Sequence, residues 1–440
     1  MPPLLSILLS ACAPEPARPE DACIARPLAD IGSILELDCA LAGDPAVDIE
    51  YRVRGEAWRT ARRLTGRQLL LGMPYDATVD WRLRDDGAII ASGSADTMPL
   101  PDGFPEPALI IDDPMQMSSQ DRYLLGSIKE GQNQWVDDLF WTFILDRQGR
   151  VVWARQNPEG TWALYPQQSL DGESLLIDHS TLYARVDEGQ QSTILRIGLD
   201  GDVRETIDTP GLYHAFDQMP DGSLAWTDGS RTLFDILVVR SPDGTINDLW
   251  RCAPWVEANP PGELIPFANS SCRSNTIFYD EDRDTLMVSF YSSSTVLEVD
   301  RQTGAEQWHA GILTNGYTFA PADAQFLFQH GAHWTDAGTL MVSTKDLAET
   351  ELRVYEYAVD EDAGTLSLVW SYGVDEGVFG NLAGEAWVLD NGNVLHNYGV
   401  GALVKEVTRT GEVVWRVDWE PDHLLGHTTF LTGDLYDLVR

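Results

Sequence analysis

Beyond residue 110 the chain repeats itself, and this repetition constrains the fold more than any other feature. One pattern ends a strand pair with a turn, a Gly and often a Trp: Asp146…Gly149…Trp153, Asp200-Gly201, Asp243-Gly244…Trp250, Asp300…Gly304…Trp308, Gly364…Trp370 and Gly411…Trp415. A second pattern is a turn followed by an apolar strand. It appears as Asp171-Gly172 before Leu175-Leu176-Ile177, Asp221-Gly222 before Leu224-Ala225-Trp226, Asp284 before Leu286-Met287-Val288, Gly338 before Leu340-Met341-Val342, and Asn391-Gly392 before Val394-Leu395. The two alternate, and Gly149 and Gly411 stand five intervals apart at about 52 residues per copy, the length of a four-stranded propeller blade with generous loops. One copy cannot bury its own apolar faces, so the copies must stack. The reading is an all-β chain whose residues 108–440 form a six-bladed β-propeller. The sixth copy lacks a clear second pattern, and His427-Thr428-Thr429-Phe430-Leu431 is a candidate strand to close the ring.

Residues 23–107 alternate with period two, as in Val47-Asp48-Ile49-Glu50-Tyr51-Arg52-Val53 and Thr78-Val79-Asp80-Trp81-Arg82-Leu83. Turn residues punctuate these runs and no helical period competes, so a small β-sandwich is expected, with a faint likeness to fibronectin type III domains around Gly72-Met73-Pro74. A spacer or an assembly surface is its expected role. The Pro-rich run from Met98 to Pro107 reads as a linker.

The chain opens MPPLLSILLSAC, a short apolar run that resembles a bacterial lipobox with cleavage before a lipidated Cys12. An ordinary cleaved signal is the alternative. Residues 13–22 then read as a flexible tether, and no segment offers the roughly 18 apolar residues of a membrane span. This places the protein as an exported outer-membrane lipoprotein facing the periplasm or the cell surface, touching the membrane only through its N-terminal lipid. Four cysteines remain, and an even number in an exported chain favours disulfides; proximity pairs Cys23 with Cys39 and Cys252 with Cys272. Neither zinc-site spacing nor an EF-hand loop is present, so no metal and no cofactor are expected. Against 69 Asp and Glu stand 30 Lys and Arg, a net charge of −39. Such a balance excludes the dense positive footprint that nucleic-acid binding needs.

In a propeller the innermost strands line a central channel, so one repeat position in different blades converges there. His214 lies eight residues before Gly222, and His330 lies eight before Gly338. Aligning Tyr279 with Trp334 brings Asn275 into register with His330, with Arg273 beside it; Glu385 and Tyr165 fall there in other copies, and His427 precedes the closing strand. A single His at a strand start is ordinarily structural, whereas two in one register point to a site. Arg273 has a plain alternative, pairing with one of the surplus carboxylates, and Glu385 another, capping the packing between blades. His179, His309, His333 and His396 fall outside the register and read as structural or surface residues. No GxSxG, P-loop, GxGxxG or HExxH motif occurs.

Several segments resemble bacterial arylsulfate sulfotransferases. They are Tyr213 to Gly222, Arg273-Ser274-Asn275-Thr276-Ile277-Phe278-Tyr279-Asp280, Val296 to Asp300 with Thr303-Gly304 and Trp308, Gln329-His330-Gly331-Ala332-His333-Trp334, and Gly384-Glu385-Ala386 with Leu389-Asp390-Asn391-Gly392-Asn393. The resemblance implies a six-bladed propeller with a small N-terminal β domain. It also implies transfer of a sulfuryl group from an aryl sulfate to a phenol through a sulfated histidine, without a nucleotide donor. The family's nucleophile falls on His330, a helper histidine on His214 and an asparagine on Asn275. Two positions depart: the family's His two residues before that Asn is Arg273, and an expected Arg falls on Tyr291.

Sulfuryl transfer, like phosphoryl transfer, needs an in-line nucleophile and charge stabilisation on the equatorial oxygens. A neutral His330 carries the group covalently, Arg273 clamps sulfate oxygens with Asn275 and His214 as donors, and His214 or Tyr291 protonates the departing phenolate. In this reading Arg273 and Tyr291 exchange the family's roles, and Tyr165, Glu385 and His427 bind substrate. The competing class is a non-catalytic exported propeller that binds an anionic ligand or a protein partner. A quinone- or calcium-dependent propeller enzyme finds no supporting motif. Because the net charge repels an anionic substrate at long range, added salt should raise kcat/KM for an aryl sulfate; initial rates between low and physiological ionic strength check this, and a fall with salt contradicts it.

Overall fold

The computed structural model describes residues 23–39, 47–65, 67–131, 139–158, 160–180, 192–229, 235–262, 271–346, 348, 350–380 and 382–439. Cys12 and the tether 13–22 lie outside the described residues. The chain divides into two compact units, Met1–Met98 and Pro99–Arg440. Phe104, within the Pro-rich run, packs edge-on against Trp141 and Phe143 of the second unit, with ring centroids 5.4 and 6.1 Å apart.

In the first unit, one sheet orders Cys23–Pro27, Leu35–Cys39 and Leu69–Leu70, and the other Arg59–Thr60, Val47–Val53, Thr78–Asp85 and Ala88–Asp96. The period-two pattern sends Val79, Trp81 and Leu83 inward and their neighbours toward solvent. Cys23 and Cys39 are ladder partners and are disulfide-bonded.

Six further sheets make up the described part of the second unit. The first pairs Val151–Gln156, Phe140–Asp146 and Tyr123–Glu130 with the distant His423–Phe430. The second runs Gln167–Gln168, Leu175–His179, Thr193–Ile197, Val203–Asp208, and the third Leu212–Gln218, Leu224–Asp228, Ile236–Arg240, Ile246–Arg251. Ser274–Asp280, Thr285–Phe290, Thr295–Asp300 and Glu306–Gly311 form the fourth. The fifth contains His330–Trp334, Thr339–Lys345, Leu352–Asp360 and Thr365–Tyr372, and the sixth Glu385–Val388, Val394–Asn397, Leu403–Val407 and Val413–Asp418. Two added outer strands were not legible as repeats: Thr318–Ala320 runs parallel to Thr365–Tyr372, and Ala108–Asp112 extends the sixth sheet. The C-terminal strand begins at His423, earlier than the run from His427 indicates, and it pairs with Tyr123–Glu130 of the first sheet.

The recurring Trp has a physical explanation. An indole N–H taken out of water needs an acceptor, and it finds one in the turn of the next sheet. Trp153 Nε1 donates to the Leu199 carbonyl at 2.8 Å, Trp370 to Arg409 at 2.9 Å, and Trp415 to Arg147 at 2.9 Å. These carbonyls belong to the turns holding Gly201, Gly411 and Gly149, so the last bond joins the sixth sheet to the first. Trp250 instead stacks on Phe290 of the fourth sheet, and Glu298 accepts from Trp308 in its own sheet and Trp334 in the fifth. Where the copy around Asp200-Gly201 has no Trp, Gln167 Nε2 donates to the Phe216 carbonyl at 2.6 Å and the Leu170 N–H donates to Gln218 Oε1 at 2.9 Å.

The helix Cys252–Ala258 follows the third sheet, and Cys252 is disulfide-bonded to Cys272. Among the described residues no helix is long and apolar enough to cross a membrane. Replacing Trp415 with Phe removes the N–H that joins the last sheet to the first and leaves the Arg147 carbonyl without that donor. The expected cost is about 1–3 kcal/mol, read as a lowered urea midpoint at unchanged m-value.

Candidate functional site

The first strands of successive sheets, Leu212–Gln218, Ser274–Asp280, His330–Trp334, Glu385–Val388 and His423–Phe430, lie against one another in chain order. Four of them break ladder register where they approach the common centre: between Leu212 and Phe216, Ser274 and Thr276, His330 and His333, and Leu425 and Thr428. A bulge releases residues from the ladder and re-aims a side chain. These bulges carry or border His214, Asn275, His330 and His427. All four line one cavity of about 520 Å³ of empty volume, part of it open to solvent, together with Tyr165 and Glu385. The register therefore brought six expected residues to one place. Trp162, Leu164, Leu382 and Leu424 complete an apolar wall that the polar register had not indicated.

Glycine makes the close approach possible. Gly331, at φ +65°, lies so near Glu385 that a Cβ there would sit 2.5 Å from the Glu385 Cβ. At Gly426 a Cβ would sit 2.5 Å from the Leu164 carbonyl oxygen.

Arg273 and Tyr291 stand apart from the cavity lining. Arg273 Nη1 donates to the Gly229 carbonyl at 3.2 Å and to Asp235 Oδ1 at 3.3 Å, and its backbone N–H donates to Ser292 Oγ at 2.7 Å. Asp235 is fully buried and also accepts the Ser274 N–H at 2.8 Å, so the pairing with a carboxylate is the arrangement adopted. The Tyr291 ring centroid lies 6.4 Å from that of His214.

Burial controls the electrostatics. Desolvation holds His330 down to about 3, helped by His214, His427 and Lys345. His214 is held down to about 4 by desolvation and then by Arg273. Both rings are therefore neutral near pH 7. His330 Nδ1 is buried and without a hydrogen-bond partner among the described residues. Asn275 Nδ2 donates to the Gln329 carbonyl at 2.8 Å, while its Oδ1 is buried without a partner. Gln329 is itself fixed, its Nε2 donating to Ser289 Oγ at 3.1 Å and to the Thr295 carbonyl at 2.9 Å.

Glu385 Oε2 and His427 Nδ1 are 2.9 Å apart, and Glu385 Oε1 accepts the Thr428 N–H at 2.9 Å. The His427 ring stacks on Tyr165 with centroids 4.1 Å apart. Burial, followed by Glu385 and Asp217, pushes the Tyr165 hydroxyl well above the usual phenol range. Tyr165 and His427 also line a second cavity of about 780 Å³ of empty volume, open to solvent, together with Asp217. Desolvation pushes Asp217 up to about 7, although it accepts the Tyr279 N–H at 2.6 Å.

Lys345 is a further cation beside the site that the register missed. It lies two residues beyond Ser343, the ladder partner of His330, with its ammonium 5.0 Å from the Phe328 ring centroid and 5.8 Å from that of Phe379. That offset from His330 was the available signal, but the repeat alignment stopped at the preceding strand. Outside the lining are His179, His309, His333 and His396; His309 pairs with Glu306, and His333 Nδ1 contacts the Gly331 carbonyl at 2.9 Å. Among the described residues no group of three or more His, Cys, Asp or Glu side chains forms a metal-binding cluster.

A sequence model of the arylsulfotransferase (ASST) family matches residues 123–433, from the first strand of the ring through its closing strand. The chain belongs to the arylsulfotransferase family. No curated protein matches it. Solved structures similar to this arylsulfotransferase-family chain include a protein of unknown function from Bacteroides caccae, 15% identical over 68% of this chain and 94% of that one, with a TM-score of 0.44. A periplasmic gluconolactonase from Pseudomonas aeruginosa is 14% identical over 88% and 99%, with a TM-score of 0.43. A virginiamycin B lyase from Staphylococcus aureus is 12% identical over 72% and 89%, with a TM-score of 0.40.

The neutral state of His330 has a measurable sign. Its folded value lies below the unfolded one, so on acidification the unfolded chain takes up the proton first. The stability tied to this neutral ring is whole above about pH 6.5 and is lost as pH falls toward about 3. Asp217 acts in the opposite sense, its contribution lost as pH rises toward about 7, so a difference measurement is needed. His330→Gln should flatten the fall of unfolding free energy between pH 6.5 and 4.5 by up to about 1.4 kcal/mol per pH unit relative to the parent. Urea titrations across that range check it, and an unchanged slope would contradict a desolvated His330.

Proposed function

We propose that the six sheets of the second unit are the blades of a six-bladed propeller, preceded by a small β-sandwich. Its central cavity moves a sulfuryl group from an aryl sulfate to a phenol through a sulfated His330. The observation that carries this reading is the neutral, desolvated imidazole of His330 in a cavity that joins polar groups to an apolar wall. An uncharged imidazole has the lone pair that attack on sulfur requires, and a covalent intermediate divides one transfer into two easier steps.

Each neighbour has a part in that chemistry. The wall of Trp162, Leu164 and Leu424 receives the aryl ring, with Tyr165 beside it. Asn275 and His214 receive equatorial oxygens, Asn275 with the N–H not used by Gln329. Arg273, paired with Asp235, acts behind His214 and adds to the desolvation that keeps that ring neutral instead of clamping sulfate itself. Lys345 supplies the positive field at short range, and Tyr291 supports the His214 ring. The two disulfides fit an exported protein, and a lipid on Cys12 would tether it to the outer membrane.

One observation favours a second reading. The Arg273 guanidinium faces Asp235 and is outside the cavity lining, as a binding protein that retains the channel without the chemistry would permit. Intact-mass measurement after mixing with 4-nitrophenyl sulfate separates the two. An enzyme gains one sulfuryl group, localised to His330 by peptide mapping, and His330→Ala lowers transfer to phenol by about 10³-fold or more. A protein that binds the sulfate ester but never gains that mass is a binder.

A further inference from the structure

Sulfuryl transfer through His330 leaves one proton to account for. The donor departs as a phenolate and the acceptor arrives as a phenol, so a group in the cavity must give a proton in the first half-reaction and take one in the second. Resting on that reading, we propose that His427 is the proton carrier for both halves and that Glu385 is the residue that positions it.

The geometry selects His427 over its neighbours. It lines the same cavity as His330, and its Nδ1 lies 2.9 Å from a buried carboxylate. With Nδ1–H donating to Glu385 Oε2, the ring's second nitrogen, Nε2, carries the exchangeable proton or lone pair. The Thr428 N–H fixes the other Glu385 oxygen, Tyr165 stacks on the His427 face, and Trp387 meets it edge-on at 5.6 Å, so the ring has little freedom to turn. Gly331, next to the nucleophile, is the residue whose missing side chain admits Glu385. Nucleophile and dyad are thereby held in register. By contrast Tyr291 is outside the lining, and His214 has Arg273 behind it.

The proton balance closes over a full turnover. In the first half, a lone pair of His330 forms the N–S bond, the aryl O–S bond breaks, and His427 Nε2–H passes its proton to the departing oxygen. In the second half the acceptor oxygen attacks sulfur, its proton goes to His427 Nε2, and the N–S bond breaks to restore His330. Aryl sulfate and phenol are exchanged, and His427 ends as it began.

Leaving-group dependence tests the assignment. Phenyl sulfate needs a proton on its departing oxygen, whereas the nitro group of 4-nitrophenyl sulfate stabilises the phenolate without one. His427→Gln should lower transfer from phenyl sulfate by about 10²–10⁴-fold, and sulfation of His330 by 4-nitrophenyl sulfate by a far smaller factor, with KM for both donors little changed. Glu385→Gln should show the same selectivity in weaker form, and imidazole in the buffer should partly rescue His427→Ala. A folded His427→Gln protein that loses both donors alike, or neither, overturns the proposal. If that variant does not fold, Glu385→Gln is judged by the same comparison. Absence of sulfated His330 in the parent protein overturns the covalent reading itself, which is a separate result.

Discussion

The indole N–H of Trp415, donating to the Arg147 carbonyl across the join between the last sheet and the first, is the interaction on which the second unit depends. A four-stranded sheet of this kind exposes two apolar faces, and each is covered only by the sheets on either side. The Trp at the end of one copy finds its acceptor in the Gly turn of the next, as Trp153 and Trp370 do. The C-terminal strand adds a second closure, because His423–Phe430 completes the sheet that Tyr123–Glu130 begins. Residues near both ends of the unit thus meet in one sheet.

That closure sets the chemistry. Inner strands stacked in order bring His214, Asn275, His330 and His427 to one cavity, each in or beside a break in its ladder. Desolvation strips charge from two histidines, His214 and His330, even though the chain carries a net charge of −39. Acid groups far from the centre act through water and ions, whereas the imidazoles respond to desolvation and to the few cations close by. A strongly acidic protein can therefore hold two neutral imidazoles at its centre, His330 beside Lys345 and His214 beside Arg273.

Much of this was legible in the residues. Period-two runs and recurring turns spell out an all-β chain, and the spacing from Gly222 and Gly338 places His214 and His330 in one register. Asn275, Glu385 and Tyr165 follow from the same alignment and His427 from its place before the closing strand, and all four line the cavity with them. Both disulfide pairings were readable from proximity along the chain. The partner of Arg273 was not: its neighbour in sequence is the site, but it pairs in space with Asp235, just before the strand Ile236–Arg240 of the third sheet, and no spacing announces that pair.

The sequence by itself determined which residues could converge, because repeat position is a property of the chain and each copy carries its own turn and strand signals. Only the tertiary structure decided what they do once together. Bulge geometry chose which side chains point inward, and burial set the charge of His330 and His214. The contact between the strand of Glu385 in the sixth sheet and the strand of His427 in the first paired two residues 42 positions apart. Periodicity is local and survives in one dimension; desolvation and hydrogen-bond partnership are three-dimensional and exist only after the ring has closed.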